Sequence, residues 1–401
     1  MTATERGVGL ADQSPDTEAI LAWFRRMRTH EPVSHDEEAG VWHVFGYTDA
    51  ARVLDDATSF SSDFSPLMPA QEDVDRFIKG NVLRKDPPQH RKLRTLVSKA
   101  FTPRTVARLA PRVAAVTDDL LEAMSREPRV EMISELAYPL PVTVIAELLG
   151  IPVEDRPLFG RWADGLVGPE SQTSFIPNAR RLESMAVVMR DMNAYCLDHI
   201  RRRRRRPQDD LTSKLIAAEV DGQRLDDEEI VGFVGLLLLA GHITTTVLLG
   251  NAILCLHEQP DAAAALRADP GALPTAIEEV LRYRTPLAPA MRRTTRPVRL
   301  GDHTVPEGQM VLSWLASANR DERQFPEPDR FDVRREPNAH LSFGHGIHFC
   351  VGAPLARLEA RIALERMLSR WREFSVGPGV EFHDARGIFG ARRIPLYVRW
   401  A

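Results

Sequence analysis

Between residues 230 and 256 the chain carries no charged side chain, a run longer than the roughly 20 residues that an α-helix needs to cross a bilayer. Such a segment either spans a membrane or lies buried in a large core. This one holds His242, Thr244, Thr245, Thr246 and Asn251 among its glycines. Its near flanks, Asp226, Asp227, Glu228, Glu229 and Glu258, are acidic where a spanning helix carries Lys and Arg. The pattern therefore predicts a helix apolar on all sides inside a soluble protein. With 401 residues, 43% of them apolar and 27% charged, the chain has material for such a core.

Charge and cysteine usage narrow the function classes. A net charge of −4 gives no general basic field for nucleic acid. The arginines at 201–206 end a helical pattern and precede Pro207, as at a solvated helix terminus where cations meet the dipole. Three cysteines, Cys196, Cys255 and Cys350, suit a reduced cytoplasmic compartment, and residues 1–14 lack the basic and apolar regions of a secretory signal. No export signal or membrane anchor is expected.

Helical periodicity runs through residues 105–124, 134–149, 179–201, 226–257 and 355–371, the last with Leu364, Met367, Leu368 and Trp371 on one face. Strand signals are local, at 41–45, 298–305, 310–316 and 396–400. The expected fold is mainly α with small β-sheets. No linker or repeat interrupts it, so residues 1–401 read as a single domain.

The strongest chemical signal is Phe343-Gly344-His345-Gly346-Ile347-His348-Phe349-Cys350-Val351-Gly352, followed at once by a helix. Glycines let the backbone pass closely over a flat ligand, and amides at the helix start favour a thiolate. A zinc site using His345, His348 and Cys350 lacks a fourth ligand, and a dinucleotide loop would need a third glycine where Phe349 stands. A buried inert cysteine stays open on these residues alone.

The segment closely resembles the cysteine loop of bacterial cytochromes P450, in particular the actinobacterial members that tailor secondary metabolites. That resemblance implies the family fold, with haem b between the long central helix and the cysteine-loop helix, and Cys350 as the iron's thiolate ligand. Glu279-Val-Leu-Arg282 is similar to the family's Glu-x-x-Arg brace. Pro328-Asp329-Arg330-Phe331 is similar to the later Pro-Glu-Arg-Phe, which implies that Arg330 contacts Glu279. His90 and Arg94, one helical turn apart, match the family's His-x-x-x-Arg and are implied propionate ligands, joined by His348 and by Arg292, for which Arg293 is a rival.

Ala240-Gly241-His242-Ile243-Thr244 resembles the family's oxygen-binding segment. The small pair Ala240 and Gly241 leaves room for dioxygen, and the Thr244 hydroxyl holds the water that delivers a proton. The competing reading is a threonine bonded back to the carbonyl one turn earlier. Ile243 stands where the family carries a carboxylate, so the proton route differs here and coupling is expected to be slower or more dependent on substrate.

The implied activity is a monooxygenase acting with O2 on a hydrophobic small molecule, a polyketide or macrolide in antibiotic biosynthesis. Electrons are expected from NAD(P)H through a ferredoxin and its reductase, docked on a basic surface. Pocket walls are expected from residues 61–83, 159–184, 239–243, 287–290 and 388–389. Two alternatives are a peroxygenase driven by hydrogen peroxide and a haem protein that senses or binds without catalysis.

Overall fold

A computed structural model describes residues 17–125, 127–167, 179–220 and 222–401. The N-terminal residues 1–14 and part of the expected pocket wall, 168–178, lie outside the described residues.

The uncharged run becomes the axis of the molecule, the helix Asp227–Glu258. It starts at a capping box: the Asp226 carboxylate accepts from Glu229 N at 2.8 Å, and the Glu229 carboxylate accepts from Asp226 N at 3.0 Å. It is long and apolar enough to cross a membrane, yet 72% of its most apolar window is buried inside the protein. The helices Glu72–Gly80, Pro139–Leu149, Ala179–Arg205 and Ala353–Arg370 pack around it. Glycine makes one crossing possible, because a Cβ on Gly80 would lie 1.9 Å from Glu229 O and one on Gly232 would lie 2.4 Å from Phe77 O.

Proline relocates several boundaries. The 105–124 pattern is two helices, Pro103–Ala107 and Ala110–Met124, broken just before Pro111, which has no amide hydrogen to extend the first. The 134–149 pattern opens as a π-helical turn, Ile133–Ala137, before Pro139–Leu149 continues as α-helix to Gly150 at φ 71°. Trp371 keeps its place in the buried stripe but begins a strand, Trp371–Val376, which pairs antiparallel with Pro395–Trp400.

The main sheet has the order Val33–Asp36, Val41–Val44, Met310–Trp314, Pro289–Thr294, Phe60–Ser61. Residues 298–305 form a hairpin of two short strands turning at Gly301 (φ 52°), because a left-handed residue cannot continue an extended strand. The run from 310 stops at Trp314 and gives way to the helical turn Leu315–Ala318. Pro289–Thr294 had no strand signal, and it carries Arg292.

Candidate functional site

The cysteine loop is closed by its own backbone. Cys350 N donates to Phe343 O at 2.8 Å and Phe349 N to Gly346 O at 3.1 Å. Gly344 and Gly346 adopt φ 73° and 64°. At Gly346 a Cβ would also lie 2.7 Å from Asp55 Oδ1 and 3.0 Å from Asp55 Cα, so the position admits no side chain. Burial pushes the Cys350 thiol up; the amides of Gly352 and Ala353 and the charges of Arg94 and Arg357 pull it down without overcoming burial. The helix-start amides act in the expected direction, but a coordinating metal ion must complete the ionisation. Cys196 and Cys255 are fully buried, and burial drives both thiols to about 12.

Beside the loop, three separate elements deliver cations and donors. His90 and Arg94 come from the helix Gln89–Ala100, Arg292 from the strand Pro289–Thr294, and His348 from the loop itself. Arg94 Nη2 donates to Phe349 O at 2.6 Å. The His348 ring contacts that of His90, and its Nε2 hydrogen-bonds Ser62 Oγ at 2.9 Å. Burial, then the charges of Arg292, His90 and Arg94, push His348 down to about 3. Burial lowers Arg292 to about 10 against a weaker pull from Asp86. That carboxylate is itself engaged by Ser61 Oγ and Ser62 N. His90 Nε2 is buried without a hydrogen-bond partner. Two guanidinium cations and two imidazoles thus meet with no carboxylate bound to any of them, which a ligand bearing two carboxylates would supply; the residues present fit haem. Strand alternation turns the two arginines apart: Arg292 is buried with its charge acting on His348, whereas Arg293 donates away to Asp63 O at 3.0 Å.

On the central helix, Ala240 is exposed and Leu239, Gly241, Ile243 and Thr244 are partly so, whereas Leu238, His242 and Thr245 are buried. One face is therefore open in mid-helix. Thr244 Oγ1 donates to Ala240 O at 3.0 Å, the back-bonded state that competes with a catalytic one. A Cβ on Gly241 would meet Ile145 Cγ1 at 3.0 Å, so this glycine admits the neighbouring helix as much as a small ligand. His242 turns away, bonded to Leu238 O and packed edge-on to Tyr138, and burial holds it at about 4. Of the expected pocket walls, Leu287 is 41% exposed and bridges to Ile388, while Phe159, Ile388 and Phe389 are core residues.

Behind the loop, Arg282 grips Glu279 with two bonds of 2.7 and 2.8 Å, both side chains fully buried. The expected contact of Arg330 with Glu279 is not made. Arg330 points to solvent and pairs with Glu327, contributing only its carbonyl to Arg282 and Arg335. Arg335 takes the place at 3.1 Å from Glu279 Oε1, with Asn338 Nδ2 at 3.1 Å from Oε2 and Asp332 N at 2.9 Å from Oε1. Two turns lead to that contact, with Arg330 N donating to Glu327 O at 3.0 Å and Arg335 N to Asp332 O at 2.9 Å. The sequence placed Ser62 in a pocket wall but not as a partner of His348, and it gave no pairing of Glu278 with Arg357, which has bonds of 2.8 and 2.7 Å. The one available signal was a second carboxylate directly before Glu279. Among the described residues no three His, Cys, Asp or Glu converge as a set that could hold a metal ion.

The sequence model of the cytochrome P450 family matches residues 168–270 and 272–387. Cyclomarin C epoxidase of Salinispora arenicola is 44% identical over 95% of this chain and 96% of its own. Erythromycin C-12 hydroxylase of Saccharopolyspora erythraea is 43% identical over 99% and 98%. Among solved structures, a mutant of P450 EryK in complex with erythromycin B superposes with a TM-score of 0.89 at 42% identity, covering 96% of this chain and 97% of the other. Such similarity runs along essentially the whole of each chain and includes the cysteine loop and its brace, so the chain belongs to the cytochrome P450 family and is a haem-dependent monooxygenase.

Proposed function

We propose that this chain inserts one atom of O2 into a macrolide or another polyketide of antibiotic biosynthesis, by hydroxylation or epoxidation. The relative named an erythromycin C-12 hydroxylase supports the macrolide class and hydroxylation, and the one named a cyclomarin C epoxidase supports epoxidation. The observation that carries the site assignment is the cluster of His90, Arg94, Arg292 and His348, whose donors lack carboxylate partners.

Cys350 would hold the haem iron, and those four residues would hold its propionates. Bound haem supplies the activation of dioxygen, using two electrons and two protons. The chain supplies the rest. Ala240 keeps the helix face low beside the reacting centre, and Leu239, Ile243 and Leu287 present apolar surface to the substrate. Thr244 exchanges its bond to Ala240 O for one to a water, which it positions as proton donor. With Ile243 unable to relay protons, water or a polar substrate group refills that donor. Electrons come from NAD(P)H through a ferredoxin and its reductase, and the whole chain works as one cytoplasmic unit.

Purified protein screened against polyketide scaffolds is expected to give a low-to-high spin shift. NADPH, ferredoxin and reductase should then yield a product one oxygen heavier that takes its label from O2. Product formed with hydrogen peroxide but not with electron-transfer partners assigns a peroxygenase. Spectral change with no product under either condition assigns a binding or sensing protein.

A further inference from the structure

Glu278 and Glu279 are adjacent on the helix Leu273–Tyr283 but face different structures. Glu279 enters the buried brace. Glu278 receives Arg357 Nε at 2.8 Å and Nη2 at 2.7 Å, and His340 Nε2 at 3.1 Å. Its two partners stand on either side of the cysteine loop, His340 before it and Arg357 in the first turns of the helix Ala353–Arg370 that leaves it. The Arg357 guanidinium also lies over the ring of Phe343, 4.5 Å from its centroid, and Phe343 O is the acceptor that fixes Cys350 N. One carboxylate thus ties both ends of the loop together and fixes a cation against Phe343.

We propose that Arg357, held by Glu278, is a positioning residue for the Cys350 thiolate, and that the balance of their two charges sets how readily the iron accepts its electron. The inference rests on the haem-thiolate reading above. The reduction is a gain of one electron by ferric iron from an external one-electron donor, with no bond broken. Added negative charge on the iron and sulfur is favoured by the cation and opposed by the carboxylate. The pair is charged throughout the physiological range: burial opposes ionisation of Glu278, but the bonds from Arg357 and His340 outweigh it and hold the carboxyl at about 2. The charge of Arg357 also acts on Cys350 itself.

The two partners therefore predict shifts of opposite sign, which a merely structural clamp does not. In haem-loaded protein, spectroelectrochemical titration of Arg357→Gln is expected to lower the midpoint potential, and Glu278→Gln to raise it. Each shift should approach a tenfold change in the ferrous-to-ferric ratio at fixed poise, about 59 mV for one electron. Arg357→Lys should restore most of the lost potential, and every variant should keep the thiolate-type band of its reduced carbon monoxide complex. Shifts of the same sign, or unchanged potentials with that band intact, overturn the inference. Conversion of both variants to a form without the thiolate band shows a structural clamp only and overturns it as well. Wild-type protein without haem or without the band refutes the parent reading instead.

Discussion

The rings of His90 and His348 lie 4.4 Å apart, centroid to centroid, although one begins a helix early in the chain and the other stands two residues before Cys350. Both imidazoles are held neutral, His348 by burial and then by Arg292, His90 and Arg94, and His90 by burial and then by Arg94. Folded-state values lie below the about 6.5 of an unfolded histidine, so the unfolded chain binds more protons in that interval. Stability of the haem-free protein is expected to fall as pH drops from about 6.5, with the loss continuing to about 4 for His242 and about 3 for His348. Urea midpoints measured across that range check it. His348→Gln should flatten the slope, and an unchanged slope would refute the role given to His348.

Arg292 and Arg293 separate two accounts of haem retention. Arg292→Ala removes a buried cation with no carboxylate bound to it, and a charge-assisted bond of about 1.5–3 kcal/mol corresponds to haem loss at least tenfold faster. Arg293→Ala loses only bonds to backbone carbonyls and should leave the rate nearly unchanged. Transfer of haem to a scavenging globin measures both; equal effects would reverse the register.

The brace offers a contrast at two other arginines. Arg335→Ala leaves Glu279 short of a cation in a fully buried site and is expected to destabilise by about 3–5 kcal/mol. Arg330 is solvent-exposed, and Arg330→Ala should stay within about 0.5 kcal/mol. Equilibrium unfolding decides between them, and a larger loss at Arg330 would restore the contact that the family resemblance implied.

Proton supply is tested on the central helix. If the Thr244 hydroxyl positions the donor, Thr244→Ala should cut product formation by about 10²-fold and divert reducing equivalents to hydrogen peroxide. Ile243→Glu places a carboxyl on the same open face and should raise product formed per NADPH. Should that variant change neither turnover nor peroxide leakage, the missing acid is irrelevant to this chain's chemistry.

Local signals marked the central helix, the cysteine loop and the helical turn of His90 and Arg94, but not the strand Pro289–Thr294 that carries Arg292. The uncharged run at 230–256 could only be a core or membrane helix, and Asp226 with Glu229 wrote its start into the chain. The glycines flanking His345 permitted the positive φ that the backbone adopts there, and the i, i+4 spacing of His90 and Arg94 placed both on one helical face. These are short-range consequences of sterics and helical period. Partner choice across the fold is not local. Arg335, not Arg330, reaches Glu279, and pairing in the sheet turns Arg292 and Arg293 to opposite faces, Arg292 buried near His348 and Arg293 bonded to Asp63 O. Glu278 gained its meaning only when packing set Arg357 and His340 against it. The sequence determined which groups exist and which way each element runs; tertiary packing alone decided which charges meet, because the energy of a buried charge depends on partners contributed by other segments.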